Sequence, residues 1–152
     1  METQSNYFSS KFRRSILALF ALFFIAFVLF FKSNIFESTL QLRKLGNLSI
    51  DPEIAFSNGQ PTYLEFYAEW CEICKQMAPE VTDLKKIYEN EMNFVFLNVD
   101  NQKWNKFIKQ FNVNGIPQIN IIDSNSNLIA TFTGLQEEKI LKDSINYSLK
   151  KT

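Results

Sequence analysis

The chain has 152 residues, enough for one compact domain, and its 16 Lys and Arg cancel its 16 Asp and Glu. That balance exerts no global pull on nucleic acid or on an anionic surface. It contains no histidine and only two cysteines. This excludes histidine-based base and nucleophile pairs, c-type haem attachment, and a four-ligand zinc site built within one chain.

Residues 15–31 form an apolar run without a charge, preceded by Lys11, Arg13 and Arg14 and closed by Lys32. As a helix it spans about 25 Å, near the short end of what crosses a bilayer. The run is longer than the core of a cleaved signal peptide, and Lys32-Ser33-Asn34-Ile35-Phe36-Glu37 offers no small-x-small cleavage site. An uncleaved transmembrane signal anchor is therefore expected. The basic cluster places residues 1–14 on the cytoplasmic side and the rest on the trans side, while Lys32, Arg43 and Lys44 pull the other way. Residues 32–49 read as a linker, since Leu40, Leu42, Leu45 and Leu48 show no sustained helical period.

From residue 50 to 152 the pattern is that of one α/β domain. Asp51 is an N-cap candidate with Pro52 at the first helical position, and Gly59 supplies a left-handed stop. Thr62 to Tyr67 is β-branched and aromatic, hence a buried strand. Ile73, Met77, Val81, Leu84 and Tyr88 recur at helical steps over residues 71–90, with Pro79 expected to kink the helix. A second strand follows at 93–100, and then a short helix marked by Trp104, Phe107, Ile108 and Phe111. Residues 118–122 and 128–132 flank Asp123-Ser124-Asn125-Ser126-Asn127 as a hairpin, and 136–150 closes the chain as an amphipathic helix. The order implies a mixed four-stranded sheet flanked by helices, its first two strands parallel and the hairpin antiparallel.

Both cysteines fall in Trp70-Cys71-Glu72-Ile73-Cys74-Lys75, where the first strand gives way to the long helix. Two cysteines three positions apart can exchange between dithiol and disulfide. Cys71 at the helix start faces unsatisfied backbone N–H groups and the positive end of the helix dipole, which favour thiolate. Cys71 is therefore the expected nucleophile, and Cys74, one turn on and more buried, the resolving thiol. Two inert core cysteines are the plain alternative.

Phe66-Tyr67-Ala68-Glu69-Trp70-Cys71-x-x-Cys74-Lys75, then Pro79, Gly115-Ile116-Pro117 before a strand, and Gly134 after the hairpin resemble the thioredoxin family over about residues 50–150. A narrower resemblance is to the membrane-anchored TxlA type of cyanobacterial and chloroplast thylakoids. It rests on Ser57-Asn58-Gly59-Gln60-Pro61-Thr62, on the Cys71 motif, and on Phe96-Leu97-Asn98-Val99-Asp100-Asn101-Gln102-Lys103-Trp104, all behind one anchor. The resemblance implies the thioredoxin fold, no cofactor or metal beyond the Cys71–Cys74 disulfide, and a site completed by five further positions. Glu65 matches a buried acid that shuttles a proton for the second cysteine, where a raised pKa would suit a general base. Pro117 matches the family's cis-proline, and Ile116 would offer its backbone to an extended client. Trp70 and Gly134 border the same client surface.

Two departures matter. Glu72 and Ile73 stand where ordinary thioredoxins carry Gly-Pro. A carboxylate beside Cys71 opposes thiolate formation, which points to a more reducing couple, with Lys75 close enough to counter it. Phe96 replaces a lysine often found near the buried acid. The TxlA-type resemblance implies a thiol–disulfide oxidoreductase that reduces disulfide-bearing clients in a thylakoid lumen or periplasm. Those clients would include apocytochromes awaiting assembly into electron-transport complexes, and an integral membrane thiol carrier would be the electron donor. An oxidase or isomerase, or a non-catalytic thioredoxin-fold assembly factor, are the alternatives.

Overall fold

The structure is a computed structural model that describes residues 3–151, with side chains described for 12–30 and 36–151. The chain divides into two compact units, Met1–Glu37 and Ser38–Thr152. In the first unit, α1 (Thr3–Asn47) begins, and its stretch Phe12–Phe30 is long and apolar enough to cross a membrane. None of that stretch is buried: Phe20, Phe23, Phe24 and Leu29 present their side chains outward, as a lipid-facing helix would. Lys11, Phe31 and Lys32, the flanks read from sequence, have side chains outside the described residues.

The second unit begins inside α1, which corrects the reading of 32–49 as an irregular linker. The helix continues to Asn47, and Leu42 and Leu45 are buried in the core. Two apolar residues three apart make too short a stripe to register as a period. Tertiary burial of that stripe stabilises the helix here.

After α1 come α2 (Pro52–Ser57), β1 (Thr62–Tyr67), α3 (Glu72–Tyr88), β2 (Asn93–Asn98), a 3-10 turn (Gln102–Trp104), α4 (Asn105–Gln110), β3 (Gln118–Ile122), β4 (Leu128–Thr133) and α5 (Glu138–Lys150). The Asp51 side chain accepts the Glu53 N–H at 2.9 Å to cap α2, and Gly59 has φ +74° just beyond it. Pro79 lies inside α3, which carries on to Tyr88. The strand order is β2-β1-β3-β4: β1 runs parallel to β2 and antiparallel to β3, and β3 runs antiparallel to β4. The open edge of β2 is partly covered, because the Ser49 hydroxyl accepts the Phe96 N–H at 2.8 Å.

Strand alternation sorts the core into two layers. Tyr63, Tyr67, Phe94, Phe96, Ile119 and Ile121 pack with residues of α1, α3 and α5, together with both cysteines. Leu64, Phe66, Val95, Leu97 and Ile122 pack on the opposite face with Ala55 and Phe107. Trp104, Ile108 and Phe111, which mark the short helix in the sequence, lie partly buried against this second layer.

Candidate active site

β1 ends at Tyr67, and a turn closed by the Cys71 N–H on the Ala68 carbonyl (3.1 Å) delivers Cys71 to the start of α3. Cys71 is itself the N-cap: its backbone is extended (φ −77°, ψ 106°) and its Sγ accepts the Cys74 N–H at 3.2 Å. A thiol at that position gains what a serine or aspartate cap gains, a backbone donor plus the helix dipole, and both favour the thiolate. Cys71 and Cys74 are joined in a disulfide with Cα atoms 5.3 Å apart. Cys74 is fully buried, whereas Cys71 keeps a thin exposed edge. Of the two, Cys71 is the one that meets solvent.

The residues between and around the pair divide by exposure. Glu72 is largely solvated, and its carboxylate pairs with Lys75 Nζ at 2.7 Å. Solvation and pairing both weaken the field that such a carboxylate exerts on its surroundings. Trp70 and Ile73 are exposed beside the disulfide, and the Trp70 indole donates to Asp100 Oδ2 at 3.0 Å. Glu69 accepts two hydrogen bonds from Arg43, from Nε at 2.9 Å and Nη2 at 2.7 Å. Gly46 lies so close to Tyr67 that a Cβ there would stand 2.0 Å from the phenol oxygen. The strand-to-helix turn is therefore held from outside by the last turns of α1 and by the loop after β2.

The Ile116–Pro117 peptide bond is cis, directly before β3. The Pro117 carbonyl accepts the Gly134 N–H at 2.9 Å, and Gly134 takes φ +83°, which only glycine adopts without strain. This hydrogen bond ties Pro117, and Ile116 before it, to Gly134 as one unit at the end of the hairpin.

Glu65 is buried in the middle of β1, on the sheet face that carries Tyr63, Tyr67 and both cysteines. Its carboxyl accepts the Tyr63 hydroxyl at 2.9 Å. Burial pushes its pKa up from 4.5 to about 7, against the lowering effect of that hydrogen bond. The register sets Phe96 directly beside it on β2, so the position read as a lost lysine is hydrocarbon. A carboxyl titrating near neutrality can take up and release a proton at working pH.

Sequence reasoning missed Tyr63, Arg43, Gly46 and Asp100 as parts of the site. Tyr63 was findable, because residues two apart on a strand share a face. The other three reach the site across 21 to 30 positions of chain, and nothing local in the sequence reports such pairings. Among the described residues no group of three or more His, Cys, Asp or Glu is placed to hold a metal ion.

Known proteins resemble this chain in sequence and fold. The family model described as Thioredoxin matches residues 49–147. The thioredoxin-like protein HCF164 of the Arabidopsis thaliana chloroplast is 37% identical over 122 residues, 80% of this chain and 47% of that protein. The thiol:disulfide interchange protein TxlA homolog of Synechocystis is 36% identical over 137 residues, 90% of this chain and 75% of that protein. With the rice HCF164, of which 40% is covered, the chain spans less than half the length of the plant relatives it matches. Among solved structures, the thioredoxin of Fasciola hepatica superposes with a TM-score of 0.54 at 25% identity, covering 63% of this chain and 88% of that one. The germline-specific thioredoxin Deadhead of Drosophila melanogaster gives the same TM-score and identity over 62% of this chain and 87% of its own. With its C-x-x-C disulfide at the start of α3 and a cis-proline before β3, the chain belongs to the thioredoxin family.

Proposed function

We propose that the protein is a membrane-anchored thiol–disulfide oxidoreductase that reduces disulfides of client proteins on the trans side of its membrane. The observation that carries this reading is Cys71 serving as the N-cap of α3 while bonded to a fully buried Cys74. In the reduced protein the Cys71 thiolate attacks a client disulfide, forming a Cys71–client bond and releasing one client thiolate. Glu65 then accepts the Cys74 proton. The Cys74 thiolate attacks Cys71 Sγ, the Cys71–client bond breaks, and the second client thiolate leaves to be protonated. Two electrons pass from the protein dithiol to the client, and the Cys71–Cys74 disulfide remains. Trp70, Ile73 and the Ile116–Pro117–Gly134 unit border the surface on which an extended client segment pairs with the Ile116 backbone.

Residues 15–31 serve as the anchor, with residues 1–14 on the cytoplasmic or stromal side and the thioredoxin domain in a thylakoid lumen or periplasm. Support comes from the outward-facing apolar stretch Phe12–Phe30 and from the likeness to the chloroplast and cyanobacterial relatives. An integral membrane thiol carrier re-reduces the disulfide, and apocytochromes awaiting assembly are the clients that fit the setting.

The reduction potential of the full chain in detergent tests the direction of electron flow. A value near the about −270 mV of thioredoxin is expected; one near the about −180 mV of isomerases or about −120 mV of DsbA makes the protein an isomerase or oxidase. Cys74→Ser should accumulate a mixed disulfide with clients through Cys71. Capture of none would remove the enzyme and the assembly-factor readings together.

A further inference from the structure

Among the described residues the buried Glu65 side chain makes one hydrogen bond. Its carboxyl and the Tyr63 hydroxyl are 2.9 Å apart, and neither side chain is exposed beyond a trace. Among the described residues no lysine or arginine pairs with Glu65, and the neighbouring position on β2 is Phe96. The Tyr63 ring is fixed in turn: it stacks on Phe94 with centroids 5.2 Å apart and packs against Phe96 at 6.0 Å. A buried carboxylate with no cation beside it depends on whatever neutral donor reaches it, and here one is locked in place.

We propose that Tyr63 is a positioning residue for thiol–disulfide exchange: its hydroxyl holds the Glu65 carboxyl in one orientation and supplies the donor that steadies it whenever it carries charge. The inference rests on Glu65 being the proton acceptor for Cys74, as proposed above. Burial and the neighbouring carboxylate keep the Tyr63 phenol protonated well above the ordinary tyrosine range, so it remains a donor wherever Glu65 titrates. A plain core tyrosine would add packing and stability without setting the pH at which exchange accelerates. Stability alone therefore cannot distinguish the two roles, and a pH profile can.

The test compares the wild-type full chain in detergent micelles with Tyr63→Phe, Glu65→Gln and the double variant. The readout is the rate of reduction of a disulfide-bearing peptide from pH 5 to 9. The wild type should show an inflection near pH 7, following the Glu65 value of about 7. Loss of a hydrogen bond to a charged group raises that inflection by about one pH unit in Tyr63→Phe and slows the reaction at pH 7 about fivefold. Glu65→Gln removes the inflection, and adding Tyr63→Phe to it changes nothing further. Infrared titration of the protonated Glu65 carboxyl band should show the same one-unit rise without relying on turnover. If Tyr63→Phe leaves both readouts unmoved while Glu65→Gln abolishes the inflection, Tyr63 is core only and the Glu65 reading survives. If Glu65→Gln leaves the inflection in place, the proton-acceptor reading falls and the role of Tyr63 falls with it.

Discussion

The two faces of β1 are built for different work. On one face Leu64 and Phe66 meet Val95, Leu97, Ile122 and Phe107 in a hydrocarbon layer. On the other, Tyr63, Glu65 and Tyr67 share a layer with Cys71 and Cys74, and burial pushes up the pKa of all three ionisable side chains. Both faces are equally closed to water, since all six strand residues are buried. Burial therefore does not by itself make a site. The second face gives up some stability to hold a neutral-pH acid in the layer that contains the disulfide.

Substitutions on each face should separate these roles. Phe66→Ala opens a cavity in the hydrocarbon layer and should cost about 3–5 kcal/mol in urea unfolding. The exchange rate per folded molecule should change less than twofold. An effect on rate as large as that on stability would mean the faces are coupled.

Glu65→Gln acts on the other face, and its sign depends on pH. The folded-state pKa of about 7 lies above the ordinary 4.5, so the folded protein binds the extra proton between those values. Wild-type stability should be highest below pH 4.5 as far as this group is concerned. It should fall by about 3 kcal/mol as pH rises to 7, then level off. Glu65→Gln should flatten that slope in urea midpoints measured across the same range.

Gly46→Ala gives the smallest effect. Alanine favours a helix over glycine by up to about 1 kcal/mol, but the new Cβ would stand 2.0 Å from the Tyr67 phenol oxygen. Overpacking of about 1–3 kcal/mol should win, giving a net loss of stability. A net gain would show that Tyr67 moves aside freely and that the α1 contact does not hold the active-site turn.

The difference between the faces was only half legible in the sequence. The alternation of Tyr63, Glu65 and Tyr67 with Leu64 and Phe66 fixed which residues share a side, and the Cys71–Cys74 spacing at a strand-to-helix junction marked where the chemistry sits. The family resemblance led to the cis bond at Pro117 and to Glu65 as a buried acid, neither of which a single residue reveals. The helical run Ser38 to Asn47 escaped because Leu42 and Leu45 form too short a stripe; only their burial identifies them as core. Arg43–Glu69 and Trp70–Asp100 escaped for a different reason. Pairing across 26 and 30 residues is a property of the folded chain and leaves no local pattern.

Cys71 as the reactive thiol of the pair is tested most directly by limiting alkylation of the reduced full chain. With substoichiometric iodoacetamide near pH 6.5 and peptide mass spectrometry, the label should fall on Cys71 and leave Cys74 unmodified. Label on Cys74, or shared equally between the two, would contradict it.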